Sequence, residues 1–307
     1  MTDVALPLIS VCVSTYQRAD LLSTLLDGLA RQTLAPDKFE VVVVDNDGSA
    51  SACDTVQQAV RRHPTLSLRY EVESAAGIAP ARNRTVALAV GELLAFIDDD
   101  ERPLATWLAD MLMAMKRFDS DAVFGPVLPH FPPSSRAWVI KSRFFERPRF
   151  PTGTVLAFND CRTGNALVKA SWLRARHPKA FDTLFARSGG EDLDFFQWLA
   201  SQGGRLVWCD SAEVHEVVPA TRQNLRYMLT RSFRASMTYW KSAYSTRSTT
   251  RSLGEAALGF GIGLFFALLG LGLLPMGMHQ AVRRWVISAK GLGRIAALSN
   301  GSMVGYH

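Results

Sequence analysis

The chain has 307 residues, long enough for one large α/β domain with a tail or for two small domains. With 48% hydrophobic and 20% charged residues it reads as a folded protein, which excludes a largely disordered chain. Its net charge of +6 favours anionic partners, and composition alone does not choose among nucleic acid, a nucleotide phosphate and an acidic lipid surface.

Leu8 to Ser14 is a short β-branched run, predicted to be a buried strand, and it stops at the polar segment Thr15 to Asp20. An amphipathic helix is expected from about Leu21 to Arg31. A second buried strand, Phe39 to Val44, empties into Asp45-Asn46-Asp47-Gly48-Ser49, and a helix over Ala52 to Arg62 follows. A short strand is expected around Leu68 to Glu71. Gly77 and Pro80 then introduce a helix from about Ala81 to Val90. Glu92 to Ile97 is a further strand, ending on the four acids Asp98, Asp99, Asp100 and Glu101. This alternation predicts a largely parallel sheet covered by helices, in which ligands gather at the carboxyl ends of strands. The clusters Ser14–Tyr16, Asp45–Asp47 and Asp98–Asp100 all fall at such ends.

Thr106 to Phe118 is helical in pattern and Ala122 to Val127 reads as a strand. The proline-rich stretch Pro129 to Pro151 reads as an irregular loop or lid. After Gly164 to Val168 and a helix near Trp172 comes the acidic Gly189-Gly190-Glu191-Asp192-Leu193-Asp194, backed by an apolar helical face. Arg205 to Cys209 is expected as a strand, Val214 to Val218 carries His215, and a basic, aromatic helix is expected over about Arg222 to Lys241.

Ala256 to Met278 contains no charged residue and is long enough to cross a bilayer, which takes roughly 20 apolar residues. Its glycines and Pro275 suit a tight helix pair or a re-entrant segment as well as a straight span. Arg247 and Arg251 precede it, and Arg283, Arg284, Lys290 and Arg294 follow, so charge gives no orientation. A buried helix hairpin in a soluble oligomer is the alternative. The opening residues lack the basic region and apolar run of a signal peptide. The four cysteines form no CxxC pair and no zinc-ligand spacing.

Adjacent carboxylates repel and call for compensation. At Asp98 to Asp100 a hard divalent cation bridged to phosphate oxygens would supply it, with solvent-exposed turn acids as the plain alternative. In an extended strand Asp98 and Asp100 share a face. A carboxylate among Glu191, Asp192 and Asp194 could take a proton from an attacking hydroxyl, although acids at a helix start also serve as caps. His215 could be a further metal ligand or a surface histidine. Arg222 and Arg226, read as one helical turn apart, could face a diphosphate together or lie on a membrane surface.

In chain order the motifs VCVSTYQR, VVVVDNDGS, AGIAPARNR, IDDDE, TGNALV, GGEDLDFF and VHEVVPATR resemble those of the family-2 glycosyltransferases with a GT-A fold, especially bacterial members that extend lipid-linked exopolysaccharide repeat units. The resemblance runs from about Leu8 to Arg234. It implies an α/β, Rossmann-like, mostly parallel sheet with flanking helices over residues 1–245. Residues 246–307 would then form a membrane-associated helical tail with its apolar segment at 256–278. It implies inverting, metal-dependent transfer from a nucleotide sugar, a UDP-sugar with glucose first, to a polyprenyl-diphosphate-linked oligosaccharide. The work would be done among membrane lipids at the cytoplasmic face of a bacterial inner membrane, without nucleic acid, and a homo-oligomer is compatible.

Residue by residue, the resemblance implies that Ser14, Thr15 and Tyr16 hold base and ribose. Asp45 or Asp47, with Asp47 preferred, would contact the uracil edge, and Arg82 would approach the base or diphosphate. Asp100 and Asp98 would hold Mg2+ or Mn2+, Asp98 lying nearer the ribose or bound waters, Asp99 would belong to the nucleotide-sugar site, and His215 would be a metal or diphosphate contact. Gly164 and Asn165 would line the donor-sugar pocket. Asp192 would be the catalytic base with Glu191 orienting it or touching the acceptor, and Arg222 would close over the diphosphate. Two other readings stand beside this one: a transferase acting on a soluble, protein or lipid A acceptor, and a noncatalytic nucleotide-binding module attached to a membrane.

Overall fold

The computed structural model describes residues 6–176, 179–185, 189–245 and 248–298. Arg247, expected to flank the apolar segment, lies outside them. The chain divides into two units. One comprises the chain up to Leu128 with Arg147–Glu216, and the other comprises Pro129–Glu146 with the chain from Val217 onward.

The first unit is built on seven strands: β1 (Ile9–Thr15), β2 (Phe39–Asp45), β3 (Leu68–Val72), β4 (Leu93–Ile97), β6 (Ala122–Phe124), β8 (Asn165–Lys169) and β9 (Leu206–Trp208), in the order β3-β2-β1-β4-β8-β6-β9. The pairs β1–β2, β2–β3, β1–β4 and β6–β9 are parallel. Strand β8 is antiparallel to both β4 and β6, so the sheet is mixed rather than purely parallel. A small second sheet joins β5 (Glu101–Pro103), β10 (Val214–Val217) and β7 (Val127–His130).

The central strands are largely apolar because both faces of the sheet are covered, and the buried exceptions Ser10 and Glu40 bond each other at 2.6 Å. Val11 and Val13 of β1, Val41 and Val43 of β2, and Ala95 and Ile97 of β4 enter one apolar layer. Helices α1 (Ala19–Leu29), α2 (Cys53–Arg62) and α4 (Trp107–Arg117) close it with Leu22, Leu26, Val56, Trp107 and Met111. The alternate residues Cys12, Leu94, Phe96, Ala166 and Val168 enter the opposite layer. There α3 (Ile78–Leu88), α6 (Ala170–Ala175) and α7 (Glu191–Ser201) bring Ala79, Val86, Leu173, Phe195 and Phe196.

Helix α3 begins at Ile78, three residues before the sequence pattern predicts. Gly77 caps it at φ 121°, a conformation open to glycine, and Pro80 falls in the first turn, where no backbone donor is needed.

The second unit contains helices α5 (Ala137–Ser142), α8 (Leu225–Ser245), α9 (Thr249–Gly272) and α10 (Met278–Ala296). The stretch Pro129–Pro151, read from sequence as irregular, therefore carries α5 and, at its start, the end of β7. Prolines conceal both, because a four-residue strand and a six-residue helix are too short to show a period. Helix α8 starts at Leu225 and Arg222 ends a separate 3-10 turn, so Arg222 and Arg226 do not share a helix. Helix α9 contains most of the predicted apolar segment and is long and apolar enough to cross a membrane.

Candidate functional site

Strands β1, β2 and β4 end side by side on Thr15, Asp45 and Ile97, and the polar clusters predicted from sequence emerge there. Asp99 is almost fully buried and bonded on both oxygens. Thr15 Oγ1 donates to one at 2.8 Å and Arg18 Nη1 to the other at 2.9 Å. It thus ties the end of β1 to the turn after β4. Burial raises its carboxyl, while Arg18 and Thr15 oppose the rise.

The same Arg18 guanidinium lies 3.3 Å from Asp100. Burial, then the charges of Asp98, Glu216 and Asp99, push the Asp100 carboxyl up to about 6. Glu101 is fully buried behind them and its Oε2 accepts the Asp98 amide at 3.0 Å. Burial and the charge of Asp98 hold Glu101 well above the usual carboxylate range. A Cβ added to Gly164 would stand 3.0 Å from Glu101 Oε1 and 3.2 Å from Asp98 Oδ2, so this bare backbone lets the turn close.

Arg82 projects from α3 between two acids far apart in sequence. Its Nη2 lies 3.3 Å from Asp98 Oδ1, and its Nη1 donates to Glu191 Oε1 at the start of α7. Only 11% of the Arg82 side chain is exposed. Burial works against its charge, and Asp98, Glu191 and Asp192 together outweigh burial and raise it. Glu191 is buried as well, and its second oxygen, Oε2, has no hydrogen-bond partner. Burial raises the Glu191 carboxyl, with Arg82 opposing and Asp192 adding to the rise. Asp192 is half-buried and accepts the Leu193 amide at 2.8 Å. Asp194 is held by Arg176 at 3.0 Å.

At the end of β2, Asp45 is fully buried and its oxygens are taken by the Asp47 amide at 3.0 Å, the Ala52 amide at 2.8 Å and the Tyr70 hydroxyl at 2.9 Å. It is a clamp for the loop. Asp47 is 9% exposed, and the Ser49 amide and hydroxyl hold its carboxyl below the usual range. Asn46 joins this loop to the entry of α3: it donates to Glu73 O and Ala75 O, each at 2.8 Å, and accepts the Gly77 amide at 2.9 Å. Ser14 is half-buried and Tyr16 is exposed.

Asn165 is buried with both ends of its amide occupied. It accepts from Trp107 Nε1 at 2.8 Å and donates to Pro126 O at 3.1 Å and Ala212 O at 2.8 Å. Those bonds make it a strut between β8, α4 and the segment before β10.

The structure therefore brings Asp98, Asp99, Asp100, Arg82, Glu191 and Asp192 together and backs them with Gly164. His215 pairs in register with Arg102, and its ring lies 3.9 Å from Glu213. Glu216, one residue on, is the β10 acid whose charge acts on Asp100. Among the described residues no three His, Cys, Asp or Glu side chains form a group that could hold a metal ion, so Asp98, Asp100 and His215 are not assembled as a triad. The oxygen-only pair Asp98 and Asp100, in a locally acid-rich turn, does fit a hard divalent cation. Arg222 belongs to the second unit. Arg18, Asn46, Tyr70 and Glu101 received no role from sequence. Arg18 carried a signal as the one cation in the polar loop after the first strand, and Asn46 and Glu101 lay within the motifs that sequence singled out.

Residues 10–184 match the family model described as glycosyl transferase family 2, more than half of the chain. The chain belongs to this family. It is 33% identical to the succinoglycan biosynthesis protein ExoM of Rhizobium meliloti (strain 1021) over 237 residues, covering 75% of this chain and 74% of that protein. It is 34% identical to validoxylamine A glucosyltransferase of Streptomyces hygroscopicus subsp. limoneus, over 62% of this chain and 45% of the relative. Two solved structures share its GT-A-like fold. The mannosyltransferase PcManGT from Pyrobaculum calidifontis, in complex with GDP-Man and Mn2+, aligns with a TM-score of 0.59 at 21% identity over 97% of this chain and 77% of its own. TarS of S. aureus (residues 1–349), in complex with UDP, aligns with a TM-score of 0.54 at 18% identity over 92% and 89%. As a family-2 member the chain is a glycosyltransferase.

Proposed function

We propose that the chain transfers a sugar, glucose first, from a UDP-sugar to a hydroxyl of a polyprenyl-diphosphate-linked oligosaccharide, with inversion, in bacterial polysaccharide synthesis at the cytoplasmic face of the inner membrane. Residues 1–245 would carry the transfer and residues 246–307 the membrane attachment. The observation that carries the reading is the Arg82 bridge, which joins the acid turn after β4 to the acids that open α7. The similarity to a succinoglycan biosynthesis protein supports the polysaccharide setting, and the similarity to a glucosyltransferase supports glucose.

In this reading Ser14, Thr15, Tyr16 and Asp47 bind the nucleoside, with Asp45 fixing the loop that presents Asp47. Asp98 and Asp100 would hold Mg2+ or Mn2+, which when bound supplies positive charge for the diphosphate. Asp192 takes the proton of the acceptor hydroxyl as it attacks the anomeric carbon opposite the leaving diphosphate. General-base help of this kind contributes roughly 10²–10⁴-fold. Glu191, fastened to Arg82, positions Asp192 from behind. Gly164 keeps room beside Asp98, and Asn165 supports the pocket as scaffold.

The test is a transfer assay with detergent-purified protein, a panel of UDP- and GDP-sugars and a membrane-lipid extract. Nucleoside diphosphate release and lipid-linked product are read together. Product from one donor, lost in Asp192→Ala, supports the reading. Product that persists in Asp192→Ala removes the base assignment, and no turnover with any donor removes the proposed reaction.

A further inference from the structure

We propose that α9 lies in the plane of an anionic bilayer, half-embedded as the outer member of a helical hairpin, and does not cross it. The inference rests on the proposed membrane setting and adds how the chain meets that membrane.

Helix α9 has 24 residues, about 36 Å at 1.5 Å per residue, which by itself would suffice to span. Its partner decides otherwise. Helix α10 runs back along it through close contacts. A Cβ on Gly259 would meet Gly291 O at 2.9 Å, one on Gly263 would meet Ser288 O at 3.5 Å, and one on Gly270 would strike the Trp285 ring. Ser288 Oγ donates to Gly263 O at 2.7 Å, Trp285 Nε1 to Ala267 O at 3.2 Å, and Arg294 pairs with Glu255 at 3.3 Å. A spanning α9 would take α10 with it.

Helix α10 carries Arg283, Arg284, Lys290 and Arg294 along its whole length. Exposed Lys290 stands at the level of Gly259 and Gly263, near the middle of α9, where a crossing would place it in hydrocarbon. The other side of α10 is occupied by α8: Ser236 Oγ donates to Lys290 O at 2.6 Å, and Gly293 lies against Phe233 O.

The face of α9 turned away from α10 is apolar and open, with Leu258, Phe260, Leu264, Phe265, Leu268 and Leu271 all exposed. From Val217 to the end the chain has 11 Lys and Arg against one acid, Glu255, a net charge of +10. The remainder, with 23 basic residues against 27 acidic, carries −4. An apolar stripe on a strongly cationic unit complements an anionic lipid surface.

The test uses the full chain with Cys53→Ser, because Cys12, Cys161 and Cys209 are buried. Flotation is measured with phosphatidylcholine vesicles, with or without phosphatidylglycerol. Binding should be about ten-fold or more stronger to the mixed vesicles and should weaken with salt. On those vesicles a water-soluble maleimide should label Lys290→Cys and spare Phe265→Cys. Phe260→Glu with Phe265→Glu should lower vesicle binding about ten-fold or more. Release of nucleoside diphosphate from the donor, read in the same samples, should be unchanged, which separates this proposal from that of the reaction. Protection of Lys290→Cys as complete as that of Phe265→Cys would show a crossing helix and overturn the proposal. So would indifference to vesicles, whether the protein then self-associates through α9 or stays monomeric.

Discussion

Replacing Arg82 by Met should destabilise the protein in a way that depends on pH through Glu191. The substitution leaves the Glu191 carboxylate buried with neither oxygen bonded to a cation, since Oε2 has no partner already. Removing one member of a buried ion pair costs about 3–5 kcal/mol. Protonation sets a ceiling at neutral pH. Bringing a glutamate from its ordinary value near 4.3 to the neutral acid at pH 7 costs about 3.7 kcal/mol, at 1.36 kcal/mol per unit.

The loss at pH 7 should therefore be about 3–4 kcal/mol, a fall in Tm of roughly 6–15 °C for a unit of this size. Burial raises the Glu191 carboxyl in the folded protein, so the penalty belongs to the charged form and grows as pH rises above the unfolded value. At pH 5 the same ceiling is about 1 kcal/mol. Thermal and urea unfolding of Arg82→Met at pH 5 and 7, with Arg82→Met/Glu191→Gln beside it, reads this directly. The double variant should recover most of the loss at pH 7. An equal loss at both pH values, or no recovery in the double variant, would refute the idea that Arg82 serves to compensate buried Glu191.

Asn165→Ala should cost about 2–4 kcal/mol by stranding the Trp107 indole and the Ala212 carbonyl, the Pro126 carbonyl keeping the Val214 amide, seen as a lower denaturation midpoint with little change in donor KM. Asp121 carries another such junction: Lys169 and Trp172 donate to it at 3.0 Å and the Arg205 amide at 2.9 Å. Burial alone would raise its carboxyl, and these donors outweigh burial and hold it below the usual range. Its stabilisation is thus present above pH ~4 and lost as pH falls through the lower folded value. Asp121→Asn should accordingly unfold about 1–2 kcal/mol more easily at neutral pH, with the gap closing in acid. Chelation of divalent cations should abolish transfer, and Mg2+ or Mn2+ should restore it; full activity in chelator would refute the metal assignment.

Much of the first unit is legible because burial on both faces leaves β1, β2 and β4 as largely apolar runs, each ending at a polar break. Direction is not legible in the same way. Ala166–Val168 is as apolar as its neighbours, and nothing in its pattern tells that β8 runs against β4 and β6. The site divides along similar lines. Asp98 to Asp100 and Glu191 to Asp192 announce themselves as local clusters. The bond between Arg82 and Glu191 joins residues 109 apart, and only the packing of α3 against the sheet makes it. Asp45 and Asp47 look alike in sequence and differ in which backbone amides they accept. Asn165 reads from sequence as a pocket residue, and only the structure shows its three bonds holding β8, α4 and the segment before β10 together.

The most direct test of the central claim is single-turnover transfer from UDP-glucose to lipid-linked acceptor by the wild-type chain and Asp192→Asn, with the anomeric configuration of the product determined. The account predicts inverted product from the wild-type chain and a fall of about 10²-fold or more in Asp192→Asn, with donor binding retained. Retained configuration, or transfer by Asp192→Asn at the wild-type rate, would contradict it.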